Sequence, residues 1–195
     1  MKKYIIALTG ASGIIYGIRL AKELLSRGFE VHLIVSEPAC IVMKQELIWE
    51  WNENLAQTLK KHLSGNICCY NNSDISASIA SGSFRTDGMI VIPCTMSTVA
   101  NIAHGISRDL ITRAADVQLK ERRPLILVPR ETPLNSIHLR NMLSLSEMGV
   151  HIIPAMPAFY HQPKTIDDMV LFIVGKVLDV MGIDHDLYCR YKSIQ

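Results

Sequence analysis

The sequence predicts an α/β domain in which helices cover both faces of a parallel sheet, and three observations carry that prediction. Short apolar runs rich in β-branched residues alternate with longer amphipathic ones. The short runs are too continuously hydrophobic for a sheet with one face in water. A glycine-rich turn, Thr9-Gly10-Ala11-Ser12-Gly13, directly follows the first short run and opens the first helical one.

Lys3 to Thr9 is read as a buried first strand. Ile14 to Ser26 sets Ile14, Ile18, Ala21 and Leu25 on one helical face, and Gly28 ends the helix. Glu30 to Ser36 alternates as a second strand and stops at Ser36-Glu37-Pro38. Trp49 to Asn72 is more polar and reads as a helix and a loop, with no linker. Gly88 to Ile92 is the next strand, halted by Pro93. Leu110 to Glu121 follows as a helix and Leu125 to Val128 as a strand. Ile137 to Met148 is a helix stopped by Gly149, His151 to Ile153 a last strand, and Ile166 to Met181 a last helix stopped by Gly182. With no repeat and no low-complexity stretch, residues 1–195 read as one domain, Rossmann-like or flavodoxin-like.

Composition excludes several classes. The 195 residues are 49% hydrophobic with a net charge of +2, which suits one compact domain with a full core and not a disordered chain. Such a balance gives no general footprint for nucleic acid. No window approaches the roughly 18 apolar residues of a membrane span, and Ile5 to Leu8 is too short for a signal peptide. The five cysteines, Cys40, Cys68, Cys69, Cys94 and Cys189, have no zinc-site spacing, so reduced thiols in a cytoplasm are expected, and no metal.

Three motifs can carry chemistry. In a doubly wound sheet, ligands sit at the carboxyl ends of strands, against the N–H groups of helix N-termini. There Gly10 and Gly13 let the backbone approach a phosphate and Ser12 adds a hydroxyl, the plain alternative being a turn without a ligand. Glu37, about 20 residues beyond Gly17, stands where a dinucleotide site keeps its ribose-binding acid. Tyr160-x-x-x-Lys164 has the spacing of a reductase pair. Pro163 between them costs a helix about 3 kcal/mol, so the spacing is accidental. The second motif, Pro93-Cys94-Thr95-Met96-Ser97-Thr98, follows a strand. A helix cap at Ser97 or Thr98 explains it alone, and Cys94 reads as a buried thiol with no base to activate it. The third, Pro129-Arg130-Glu131-Thr132-Pro133-Leu134, offers a guanidinium for a phosphate and a carboxylate for protons, unless the two are a surface ion pair. Arg113 and Lys120 lie two turns apart on one helix face, while Arg122 and Arg123 read as solvated.

Together these stretches resemble the flavin prenyltransferases, the group that includes the small subunits of phenolic-acid decarboxylase systems. The likeness also runs through Ser81-Gly82-Ser83-Phe84, Arg113-Ala114-Ala115-Asp116, Leu119-Lys120-Glu121-Arg122 and Pro157-Ala158-Phe159-Tyr160, almost the whole chain. It implies that Gly10, Ala11, Ser12 and Ser36, with Cys94, Thr95, Met96, Ser97 and Arg130, bind reduced FMN. It further implies that Arg113, Lys120, Arg130, Tyr160 and Lys176 hold the phosphate of dimethylallyl monophosphate. Flavin N5 would displace that phosphate and C6 would close a fourth ring, with Glu131 as acid–base residue and Ser12 beside N5. The implied assembly is a homododecamer with sites at subunit contacts, metal-independent, passing its product to a UbiD-like decarboxylase. Relatives differ at Ser73, at Ser97 and at Arg190-Tyr191, where many carry an Arg–Trp pair. The rival readings are a non-catalytic FMN-carrying subunit, an FMN-dependent cysteine decarboxylase of the same fold, and a nicotinamide reductase.

Overall fold

A computed structural model describes residues 1–52 and 54–190. In chain order the elements are β1 (Lys3–Leu8), α1 (Ile14–Ser26), β2 (Glu30–Val35), α2 (Glu37–Glu46), α3 (Leu55–His62) and β3 (Ile67–Asn71). A short 3-10 turn (Ser78–Ala80), β4 (Gly88–Cys94), α4 (Met96–Ala103) and α5 (Leu110–Lys120) follow. Last come β5 (Leu125–Pro129), α6 (Ser136–Glu147), β6 (His151–Ile152) and α7 (Ile166–Val180). All strand pairs are parallel and the order is β3-β2-β1-β4-β5-β6. This is the Rossmann-like doubly wound order, and its direction reverses between β1 and β4. Leu8 lies opposite Val35, so the chain leaves β1 and β2 at the same level and Thr9 emerges beside Ser36.

The two-residue period of the strands divides the core. Tyr4, Ile6 and Leu8 of β1 pack with α1 and α7, whereas Ile5 and Ala7 pack with α4 and α5. Covered on both faces, β4 and β5 are buried along their length, which is why they read as unbroken apolar runs. Gly17 seats α1: a Cβ there would run into the Leu8 side chain and the Ile92 carbonyl.

Three features differ from the sequence expectation. The helix α2 buries only Ala39 and Met43, too few apolar positions to show a periodicity. The strand β3 is the partly exposed edge of the sheet, and its Cys68-Cys69-Tyr70-Asn71 lacks a β-branched run, so it reads as loop. Pro93 does not halt β4; the strand continues to Cys94 with a register shift after Val91, and the Pro93 carbonyl still accepts hydrogen bonds. No helix among the described residues is long and apolar enough to cross a membrane.

Candidate active site

The carboxyl ends of β1, β4 and β5 are tied together by one threonine and one arginine. The buried Thr9 hydroxyl donates to the Pro93 carbonyl at 2.8 Å and accepts from the Thr95 N–H at 2.9 Å. Its bonds fix the glycine turn to the start of α4 at the point where the strand order reverses. From β5, the Arg130 N–H reaches the Cys94 carbonyl at 3.2 Å and its Nε reaches the Ser12 carbonyl at 3.3 Å. Ser12, Thr95 and Arg130 are therefore gathered in one place, with Glu131 next in the chain. The Glu131 side chain is exposed and accepts the Thr132 N–H at 3.0 Å. Gly10 is pressed against α2, where a Cβ would stand 2.5 Å from that of Pro38.

Not every N–H group expected at the turn is open to a ligand. The Gly13 N–H donates to both Glu46 carboxylate oxygens at 3.0 Å, and the Ile14 N–H to one of them at 2.9 Å. A side chain from the end of α2 thus occupies the positive end of α1, the position anticipated for a phosphate. Nothing in the sequence marked Glu46, because the contact exists only once α2 folds beside the turn. Burial first, and the Glu46 charge second, push the Tyr16 hydroxyl above its ordinary range.

Ser36 caps α2, accepting the Ala39 N–H at 3.2 Å and keeping its own proton to donate. The cap of α4 is Thr95, not Ser97 or Thr98: its hydroxyl accepts the Thr98 N–H at 3.2 Å and its carbonyl accepts that of Val99. The Met96 and Ser97 N–H groups are the ones in that turn left for a ligand. Cys94 and Met96 point their side chains into the core under α4, so only their backbone can meet a ligand, while Ser97 is exposed. Burial pushes the Cys94 thiol far above its ordinary range, which removes it as a nucleophile. The open groups are two hydroxyls, two backbone N–H and a guanidinium, a donor set suited to a phosphorylated ligand rich in carbonyl acceptors.

Arg113, Lys120 and Lys176 stand apart, each with its own acid. Arg113 on α5 bonds Asp116 at 2.8 Å and the Ala80 carbonyl at 3.1 Å, and Lys120 bonds Glu121 at 2.6 Å. Arg123 is not merely solvated: it clasps the Gly82 and Phe84 carbonyls at 2.6 and 2.8 Å. On α7, Lys176 lies 3.6 Å from Asp179. Asp179 also accepts Tyr188 at 2.6 Å and Arg190 at 2.7 Å, with His185 at 3.1 Å. Burial alone would raise its carboxyl, but the Tyr188 and Arg190 bonds outweigh that and hold it down to about 2. Tyr160 sits edge-on to His161 and Phe172, and Phe172 meets the Tyr188 ring at 4.9 Å. Tyr160 and Lys176 thus belong to one aromatic and ionic unit. Gly175 makes room for it, since a Cβ there would stand 2.6 Å from the Tyr188 ring. Among the described residues, none of Arg113, Lys120 and Lys176 bonds Arg130 or Glu131.

Tyr160 and Lys164 precede α7, which starts after its cap Thr165, so the pair does not share a helix. Tyr191 lies outside the described residues, although Arg190 is placed. A cavity of about 810 Å³ opens beside the ends of β2 and β3. Glu37, Pro38, Tyr70, Ser73 and Arg108 line it, whereas Ser12, Arg130 and Glu131 do not.

Residues 1–178 match the family described as Flavoprotein. The chain is 50% identical over 188 residues to the flavin prenyltransferase UbiX of Alkalihalophilus pseudofirmus, covering 95% of this chain and 94% of that one. It is 45% identical, with a TM-score of 0.89, to the dodecameric FMN-dependent UbiX-like decarboxylase of Escherichia coli O157:H7, covering 98% of this chain and 100% of that one. A crystal structure of AnUbiX (PadA1) in complex with FMN and dimethylallyl pyrophosphate is 40% identical with a TM-score of 0.89, covering 100% and 99%.

Proposed function

This chain belongs to the flavin prenyltransferase family, and from that premise we propose which of its groups transfer a dimethylallyl unit to reduced FMN. Its activity is prenyl transfer, an enzymatic one, with FMN as the flavin. The observation that supports the assignment of residues is the Arg130–Ser12 bond, which joins the residue preceding Glu131 to the glycine turn.

Gly10, Ala11 and Ser12 lie against the flavin. The Ser36 hydroxyl, the Met96 and Ser97 N–H groups and Arg130 hold its phosphate and ring carbonyls, with Thr95 and the Cys94 backbone shaping that edge. Reduced FMN, as acceptor, supplies the nucleophilic N5 and C6. The Ser12 hydroxyl orients the N5 edge, and Glu131 takes up the proton released when C6 closes the ring. The donor is dimethylallyl monophosphate. Arg113, Lys120, Arg130, Tyr160 and Lys176 oppose the charge that builds on its phosphate as the allylic bond breaks, so metal assistance is unnecessary. Water must be kept from so electrophilic a carbon.

In one copy Arg113, Lys120 and Lys176 each pair with an acid no more than three residues away, and among the described residues none bonds Arg130 or Glu131, which supports a site shared between copies. The site is completed by neighbouring copies in a homododecamer, and the exposed apolar side chains of Leu134 and Ile137, which follow Glu131 closely in the chain, support a covering subunit. Residues 1–195 act as one domain in the cytoplasm, and the product passes to a UbiD-like decarboxylase.

Anaerobic incubation with reduced FMN and dimethylallyl monophosphate, followed by mass analysis of the flavin, tests the assignment. Wild-type protein should add one C5H8 unit, while Glu131→Gln should bind flavin and add none at a comparable rate. No gain with wild type would favour the non-catalytic carrier, and full turnover by Glu131→Gln would remove the role given to that residue.

A further inference from the structure

Far from the glycine turn, near the amino ends of β2 and β3, three potential metal ligands converge. We propose that Glu30, His32 and Cys68 form a binding site for one zinc-like divalent cation. Glu30 and His32 are two residues apart on β2 and so share a face of the sheet, and Cys68 is the cross-strand neighbour of His32 on β3. One ligand atom from each lies within 4.8 Å of the others. Zinc bonds of roughly 2.0–2.3 Å in a tetrahedron require only a modest closing of that triangle. The alternation of β2 and its pairing with β3 create the set, which is why no Cys or His spacing along the chain reveals it.

The surroundings suit a cation that has left water. His32 and Glu30 side chains are 3% and 14% exposed. The Phe84 ring stands edge-on to the imidazole at 5.1 Å. His32 Nδ1 is 2.9 Å from the Tyr70 hydroxyl, the kind of outer partner that fixes the orientation of a metal-bound imidazole. Without a cation, His32 Nε2 faces Glu30 at 2.9 Å and the Lys3 ammonium lies 3.3 Å from the same carboxylate. On binding, the imidazole proton sits on Nδ1 and is donated to Tyr70, so the Nε2 lone pair faces the ion. The Cys68 thiol gives its proton to solvent, and Lys3 withdraws onto the Phe84 ring, already 5.1 Å away. One proton leaves for each ion bound. A sulfur, nitrogen and oxygen set with a fourth position for water selects Zn²⁺ or Co²⁺ over Mg²⁺ or Ca²⁺.

The test uses the full chain, stripped with a chelator and titrated with Co²⁺. The expected result is a near-ultraviolet thiolate-to-cobalt band that saturates at one equivalent and disappears when Zn²⁺ is added. Cys68→Ser should abolish the band, and Cys69→Ser should keep it, each variant first checked for folding by circular dichroism. Glu30→Gln should weaken binding by at least the roughly 10–100-fold that loss of an outer partner costs. Calorimetry in two buffers should show one proton released. No band in the wild type, a band that survives Cys68→Ser, or one that is lost with Cys69→Ser would overturn the site.

Discussion

The cradle at the carboxyl ends of the strands and the cations on α5 and α7 are built in opposite ways. In the cradle, Thr9, Thr95 and Arg130 bond partners more than 80 residues distant, mostly main-chain carbonyl and N–H groups. On the helices, Arg113, Lys120 and Lys176 are each paired with an acid no more than three residues away. The first arrangement exists as soon as the sheet forms. The second is a set of surface pairs, each worth only about 0–1 kcal/mol, which a dianionic phosphate displaces at little cost. In the site proposed above, the flavin half would be preorganised by the fold, and the donor half would be assembled when phosphate and neighbouring copies arrive.

The strongest way to break this division is Glu131→Gln. It should leave flavin affinity unchanged and lower the rate of prenyl transfer by roughly 10²–10⁴-fold, read from single-turnover kinetics with flavin and donor saturating. A parallel loss of flavin binding would show that Glu131 belongs to the cradle as structure.

Next in size, Arg113→Ala should raise the KM for the prenyl phosphate by roughly ten- to a hundredfold, the loss of a charge-assisted bond of about 1.5–3 kcal/mol, with the flavin Kd unmoved. Asp116→Asn sharpens the point. It frees Arg113, so donor affinity should hold or improve, whereas a structural role for the pair would make it fall.

Gly17→Ala acts on the cradle alone. Overpacking α1 against Leu8 and Ile92 should cost about 1–3 kcal/mol of stability in denaturant unfolding, and flavin binding should weaken because the turn at the head of α1 shifts. Donor KM in the flavin-loaded enzyme should change least.

The smallest effect belongs to Asp179. With its carboxyl held at about 2 against an ordinary 3.8, the bonds to Tyr188 and Arg190 contribute fully above about pH 4 and are lost as the pH falls toward 2. Hydrogen exchange of residues 184–190, referenced to an unstructured peptide, should show that segment loosening over this window. Asp179→Asn should loosen it at every pH and abolish the step.

Much of this was legible in the sequence. Burial on both faces makes β1, β4 and β5 continuous apolar runs, and the glycine turn and the Pro129–Leu134 loop mark two ends of the site. The residue roles came from resemblance to a family, since an Arg–Glu pair in a loop does not announce its partner. What stayed hidden depends on distance in the chain: the Glu46 carboxylate on Gly13, the Thr9 stitch, and the inward turn of Met96, whereas the burial of Cys94 was read correctly. Edge strand β3 was missed for another reason, because a half-exposed strand needs few apolar residues.

The proposed chemistry depends on where Glu131 stands relative to a bound flavin, and a crystal structure with FMN and an unreactive prenyl phosphate measures that directly. The Glu131 carboxylate should lie within hydrogen-bond reach of the reacting ring edge, directly or through one water. The phosphate should rest on Arg113 and Lys120 of an adjoining copy, and Glu46 should stay on Gly13. A Glu131 turned to solvent, with Glu46 displaced and a phosphate on the Gly13 N–H, would contradict it.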